Sequence, residues 1–254
     1  MTMDLKLEFA QVGFLKLEEF LTVDETNSIN TAIDELDQEQ LEERYETEHG
    51  CTIYGIHSSS FSSCRDVFRS LSVSQRTLGL AQELLGNDEL YMYNSKLNCK
   101  RRFYGANMHW HQDMFYWNLD GVLSDELLTF MFITRDICEV DGPLYVIPGS
   151  HKSGLVKHSR IQVGSHKQYA IAPDALTEAF KDSQAAVPLI GKAGTAFVFN
   201  STIMHGSSNN LGVRDRWQLY FSYNGSDNFP TKLSNARPNF VVSKEASPLS
   251  IVGE

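Results

Sequence analysis

From residue 90 onward the chain is a succession of short runs rich in aromatic and β-branched residues. They are LYMYNSKLNCK (90–100), LLTFMFITR (127–135), PLYVIPGS (143–150), GTAFVFN (194–200) and RWQLYFSYN (216–224). Turn signals stand between them: Asp120-Gly121, Asp141-Gly142-Pro143, Pro148-Gly149, Gly191, Gly194 and Gly225. Short strands punctuated in this way predict a mainly β fold, an antiparallel sandwich or barrel with flanking helices.

The N-terminal third has a different pattern. Residues 9–17 (FAQVGFLKL) read as a short strand entering the fold. Thr22 and Glu25 have capping-box spacing, and Ile29, Ile33 and Leu36 follow at helical intervals, so a helix is predicted over about 23–37. The acidic stretch 38–50 reads as a solvated helix end or surface loop, and the serine-rich stretch 57–66 as a loop that can serve as a lid. A second helix is predicted over about 71–85, with Gly86 as its terminator, and a short one over 174–183. No repeat or low-complexity linker divides the 254 residues. The expectation is one domain, 1–254, with a helical part (about 20–88) packed on a β part (about 90–225).

A net charge of -10 argues against a broad nucleic-acid surface. The cysteines Cys51, Cys64, Cys99 and Cys138 form no CxxC and match no zinc spacing. The first residues, MTMDLKLEF, have no apolar signal-peptide core, so a cytoplasmic protein with reduced thiols is expected. No apolar run approaches the ~18 residues of a membrane span.

The chemistry is concentrated in HWHQD, residues 109–113. On an extended strand residues i and i+2 share a face, so His111 and Asp113 can offer a nitrogen and an oxygen to one ion. A second, distant histidine would complete the 2-His-1-carboxylate triad of non-heme Fe(II) oxygenases. Of the eight histidines, His49, His57, His151, His158 and His166 lie in polar or loop-like sequence, and His109, on the same strand face as His111, is a competitor whose closeness in sequence would make unusual geometry. His205 instead follows the apolar strand TAFVF (195–199) after a short link, so a sheet can hold it rigidly. Arg216 opens the next strand, where its planar fork suits a carboxylate; Arg214, two residues earlier, is the alternative. Such an oxygenase needs an electron-donating co-substrate, and 2-oxoglutarate has a chelating 2-oxo-acid end and a far carboxylate that needs a cation.

These segments resemble the phytanoyl-CoA dioxygenase family of Fe(II)/2-oxoglutarate-dependent oxygenases. The matching stretches are Phe14-Leu15 with the helix after it, WHQD (110–113), GPLYVIPGSHK (142–152), HGSSNN (205–210) and Arg216, together spanning about 9–225. The resemblance implies a double-stranded β-helix, a cupin-like jelly roll, using Fe(II), 2-oxoglutarate and O2. It implies His111, Asp113 and His205 as iron ligands, and Arg216, Ser207 and Asn98 as 2-oxoglutarate contacts. Within the family the chain resembles ectoine hydroxylase-like amino-acid hydroxylases most, through HWHQDMFYWNLDGV (109–122), MHGSSNN (204–210) and Arg237-Pro238-Asn239-Phe240. That likeness implies Trp117 as a pocket wall. Asn94 stands where that subgroup commonly has glutamine, a departure bearing on ectoine itself. Asn94, Lys96, Arg102 and Trp110 are further candidate substrate contacts.

Asp113 implies hydroxylation, because related halogenases replace this carboxylate with a small residue to admit chloride. The expected reaction hydroxylates an unactivated C–H bond of a small zwitterionic substrate, a free amino acid or derivative, releasing succinate and CO2. The expected protein is a monomer or homodimer with no nucleic-acid or membrane partner. A tailoring oxygenase that hydroxylates, desaturates or cyclises a larger natural product is the alternative, and a non-catalytic jelly-roll binding protein the remote one.

Overall fold

The computed structural model describes residues 2–58, 66–163, 166–181, 185–230 and 237–252. Residues 59–65 of the serine-rich stretch expected as a lid, and Cys64 with them, lie outside the described residues.

Two antiparallel sheets face one another. The larger has the order β1-β11-β6-β13-β4-β3-β2 and the smaller β10-β7-β12-β5. In chain order the larger comprises β1 (Phe14–Leu17), β2 (Arg44–Thr47), β3 (Gly50–Tyr54), β4 (Leu90–Lys100), β6 (Leu127–Phe132), β11 (Ala196–Asn200) and β13 (Arg216–Gly225). The smaller comprises β5 (Met108–His111), β7 (Leu144–Val146), β10 (Val187–Pro188) and β12 (His205–Ser207). A separate hairpin pairs β8 (His158–Val163) with β9 (His166–Ile171). This is the jelly-roll arrangement expected for the β part.

Strand alternation explains both why these runs are so apolar and how they build a polar interior. On β13, Trp217, Leu219, Phe221 and Tyr223 join a core with the helices α2 (Val23–Gln38), α3 (Asp66–Ser72) and α4 (Leu80–Leu85). Leu97 and Cys99 of β4 and Phe130 and Phe132 of β6 do the same. The intervening residues point the other way, toward the smaller sheet. There Met131, Phe197 and Phe199 form an inter-sheet core with Val146 and Ile203. Both faces of the larger sheet are therefore covered, and its central strands lack the clean apolar–polar alternation of a half-exposed sheet.

The capping box is present: the Thr22 side chain accepts from the Glu25 amide and the Glu25 carboxylate accepts from the Thr22 amide. Gly86 closes α4 in the left-handed region at φ 67°. Four local expectations are corrected. Residues 9–12 belong to α1 (Thr2–Val12), because Phe9 is buried in the helical core; Gly13, at φ +85°, then turns the chain into β1. The 71–85 helix is broken at Val73-Ser74, where Ser74 caps a wide helical turn over Gln75–Gly79 that precedes α4. The acidic 38–50 stretch contains an edge strand, β2, exposed at Tyr45–Thr47 and paired to β3. The N-terminal third thus supplies strands β1–β3 to the sheet as well as helices. The predicted 174–183 helix is α6 (Pro173–Phe180). Among the described residues, no helix is long and apolar enough to cross a membrane.

Candidate active site

β12 lies between β5 and β7, and its register sets His205 directly opposite His111. Two imidazoles distant in sequence are thereby neighbours on one sheet face, with ring centroids 4.2 Å apart. Asp113 is not on the strand, contrary to expectation. β5 ends at His111, Gln112 stays extended (φ -120°, ψ 133°), and Asp113 opens helix α5 (Asp113–Asp120). The extended Gln112 keeps the two flanking side chains on one side. Asp113 Oδ1 lies 3.8 Å from His111 Nε2 and 3.7 Å from His205 Nε2. All three ligand atoms fall within 4.8 Å of one another, close enough for one ion to touch each.

The protonation pattern suits a metal. His111 Nδ1 is 2.8 Å from His109 O, and His205 Nδ1 is 3.0 Å from Ile203 O. A carbonyl only accepts, so each Nδ1 carries a hydrogen, which leaves Nε2 as the nitrogen of each ring turned toward Asp113. Burial, then the neighbouring His205, pushes the His111 imidazole down to about 3, so its ligand nitrogen is free. Burial alone would raise the Asp113 carboxyl, but His205, Lys96 and His111 outweigh it and hold the group below its ordinary value.

The same cavity, about 230 Å³, is floored by β4 and β13. Alternation turns Lys96, Asn98 and Lys100 inward, and register sets Tyr220, Gln218 and Arg216 directly across from them. Lys100 and Arg216 are thus a cross-strand pair of like charge, an unfavourable neighbourhood unless an anion joins it. Arg216 is buried and donates to Gln218 Oε1, and among the described residues its Nε has no partner. Lys100 Nζ donates to Ser207 Oγ at 2.8 Å and to Ser208 O. Burial, then Arg216, pushes the Lys100 amine down to about 6. The buried Arg216 guanidinium, the Lys100 amine and the Ser207 hydroxyl thus line one recess of the cavity, which can take an anionic group. Asn98 lines the wall, where Thr52 Oγ1 donates to its Oδ1 at 3.0 Å. Arg214, the alternative anchor, is exposed on the loop before β13. Lys100 was missed in the sequence, although its period-two spacing with Lys96 and Asn98 carried the signal.

Of the five candidate substrate contacts, Lys96 is among the residues lining the cavity, and Trp117, Asn94, Trp110 and Arg102 are not. Lys96 lines the cavity, its Nζ 5.4 Å from the Tyr220 ring centroid. Trp117 is buried one helical turn beyond Asp113, edge-on to Tyr93 at 5.4 Å. Asn94 is buried on β4 and donates to Val241 O, so its amide holds the C-terminal segment. Trp110 does not face the site: it alternates with His111 on β5 and packs against Phe180 of α6. Arg102 lies beyond the end of β4, and its side chain is exposed. Two features were not anticipated. Arg237 forks onto Asp120, with Nε donating to Oδ1 at 2.9 Å, and Tyr93 OH donates to the same carboxylate at 2.6 Å. Gln168 of β9 lines the cavity with its buried Oε1 unpaired among the described residues.

Residues 9–217 match the phytanoyl-CoA dioxygenase family. The chain is 29% identical to an L-proline trans-4-hydroxylase of Streptomyces griseoviridis over 97% of its own length and 94% of that protein's. It is 30% identical to the ectoine dioxygenase of Stutzerimonas stutzeri over 79% of its own length and 68% of that protein's. Among solved structures it resembles EctD from S. alaskensis with 2-oxoglutarate and 5-hydroxyectoine. That likeness has a TM-score of 0.82 and 26% identity, covering 99% of this chain and 87% of that one. The same protein with bound Fe superposes with a TM-score of 0.83 at 25% identity, over 99% of this chain and 87% of that one. The chain belongs to the phytanoyl-CoA dioxygenase family and is an Fe(II)- and 2-oxoglutarate-dependent dioxygenase.

Proposed function

We propose that the protein hydroxylates an unactivated C–H bond of a small, zwitterionic amino-acid substrate. His111, Asp113 and His205 hold the iron, and Arg216, Lys100, Ser207 and Asn98 grip 2-oxoglutarate. The observation that carries this is the meeting, in one cavity, of the His–Asp–His cluster and the cross-strand Lys100–Arg216 pair. Bound iron with 2-oxoglutarate supplies the oxidising power that couples release of succinate and CO2 to oxygen insertion from O2. The chain's own groups do the positioning. The Nδ1–H bonds to His109 O and Ile203 O fix both imidazoles, and both rings are buried.

A cavity of about 230 Å³ lies below the ~300–1,000 Å³ of drug-sized sites, which favours an amino acid over a polyketide or lipid. Lys96 supplies a cation for a substrate carboxylate, and the orphaned Gln168 Oε1 an acceptor for an ammonium group. Tyr116, whose ring stands edge-on 5.8 Å from His111, adds an aromatic wall. The proline and ectoine enzymes among the relatives act on molecules of this class. A screen of succinate release across free amino acids and cyclic derivatives, proline and ectoine included, tests the assignment. Mass spectrometry should find one such compound that gains a single oxygen; stimulation by none of them would refute the substrate class.

Two predictions follow from the cavity's cations. Lys96→Met keeps the side chain's length and removes its charge. It should raise the substrate KM by about 10-fold or more, the worth of a charge-assisted hydrogen bond, with the 2-oxoglutarate KM unchanged. Steady-state kinetics with each substrate varied in turn separates the two constants. Lys100, held near 6 when free, is largely uncharged at pH 7.5, and a neighbouring dianion favours its charged form. Binding of 2-oxoglutarate should therefore take up protons, and its affinity should fall as the pH rises above about 6. Calorimetry in two buffers of different ionisation enthalpy measures the uptake, which Lys100→Met should abolish.

A further inference from the structure

Gln112 stands between two of the proposed iron ligands and is fully buried. Its side chain does not reach toward the cavity. The amide Nε2 donates to Gly154 O at 2.7 Å and to Thr202 O at 2.6 Å, 42 and 90 residues away in sequence. The amide Oε1 accepts from Val156 N–H at 2.9 Å. Against Gly154 and Val156 the carboxamide therefore behaves like a peptide group of an added strand, donating to one residue and accepting from the next but one. Its backbone N–H donates to His158 Nε2 at 3.1 Å. The other nitrogen of that ring, Nδ1, donates to Val156 O at 2.9 Å, which fixes Nε2 as the acceptor.

These bonds converge on the segment that carries the distal histidine. Thr202 lies three residues before His205, and Ser201 O accepts from Met114 N–H at 3.0 Å, in the turn that begins with Asp113. Thr202 N–H is itself held by Asn200 Oδ1 at 2.9 Å. Met204 N–H donates to Ser150 Oγ at 2.9 Å, so the link is fixed from the 150–156 side as well. His111 and Asp113 are on one piece of chain and His205 on another. Besides the β5–β12 ladder and the Met114–Ser201 bond, the Gln112 carboxamide, with the 154–158 segment behind it, joins the two.

Resting on the reading of His111, Asp113 and His205 as an iron site, we propose that Gln112 is a positioning residue. Together with His158 it clamps the turn carrying the two proximal ligands to the segment carrying the distal one, and so sets their spacing before metal arrives. The clamp needs both faces of an amide. A glutamate of the same shape has at most one hydrogen to give where two carbonyls wait, so isosteric replacement breaks it.

The test is anaerobic Fe(II) titration of the apo protein, with thermal unfolding of the same apo samples. Gln112→Glu removes the second donor. His158→Phe keeps the ring stacked on Phe115, now at 4.2 Å, but removes the acceptor for the Gln112 amide. Asn224→Leu is the control, because Asn224 is equally buried and hydrogen-bonded but sits at the far end of β13 from Arg216. The clamp predicts that Gln112→Glu and His158→Phe weaken Fe(II) binding by about 10- to 100-fold, the usual effect of losing an outer partner of a metal ligand. The control should lose thermal stability with wild-type iron affinity. Wild-type iron affinity in both Gln112→Glu and His158→Phe, whatever their melting temperatures, would overturn the clamp; if Gln112→Glu does not fold, His158→Phe decides alone. His205→Ala separates the two levels. If it loses iron while the clamp variants keep it, the clamp alone fails; if it also keeps iron, the iron site fails with it.

Discussion

Replacing His205 with alanine is expected to abolish succinate release while leaving a folded chain. The loss should exceed ~100-fold, the upper end of what removing an outer partner of a metal ligand does to activity. Folding should survive because the substitution deletes one hydrogen bond, to Ile203 O, and also relieves crowding. His205 packs against the His111 imidazole and the Asp113 carboxylate. The leucine- and phenylalanine-rich core against the helices does not depend on it. Thermal unfolding of the apo variant, alongside its succinate assay, separates the two effects. A variant that releases succinate at the wild-type rate would remove His205 from the site.

Replacing Arg216 with alanine should raise the KM for 2-oxoglutarate far more than that for the amino-acid substrate. Truncating one member of a buried, charge-paired contact costs about 2–5 kcal/mol, which corresponds to a KM increase on the order of 30-fold or more. Lys100 cannot take over the role fully. Its amine is a point charge already engaged by Ser207 and Ser208, whereas Arg216 presents a planar fork with an unused nitrogen. Arg214→Ala is the matched comparison: exposed on the loop, it should leave both constants within about 2-fold of wild type, as surface charges generally do. The reverse pattern would move the anchor to Arg214.

How much of this was legible in the sequence follows from what each signal depends on. The strand runs of the β part were readable because a sheet covered on both faces must be apolar along its central strands, as in β13 and β6. The triad was readable as residue types, since HxD and a histidine after a buried strand are rare together. Its geometry was not, because whether Asp113 continues a strand or opens a helix depends on the packing of α5. The alternation rule, applied strictly, would have excluded Trp110, which must face away from His111, and would have found Lys100 two positions beyond Asn98. Arg102 failed because strand β4 ends before it. The edge strand β2 was hidden by its own surface: Tyr45–Thr47 are exposed and read as a solvated run. Neither Arg237's pairing with Asp120 nor Gln112's bridging could be seen, since each depends on contacts between segments distant in the chain.

The most direct measurement is an anaerobic titration of the apo protein with Fe(II) and then with 2-oxoglutarate, followed by the visible charge-transfer absorbance of the iron–2-oxoglutarate pair. The expected result is saturation at one iron and one 2-oxoglutarate per chain. The band should be absent in His111→Ala and His205→Ala, and should be reached in Arg216→Ala only at much higher 2-oxoglutarate. A protein that develops no such band, or one whose band survives loss of either histidine, would contradict the assignment of His111, Asp113 and His205 as the iron site.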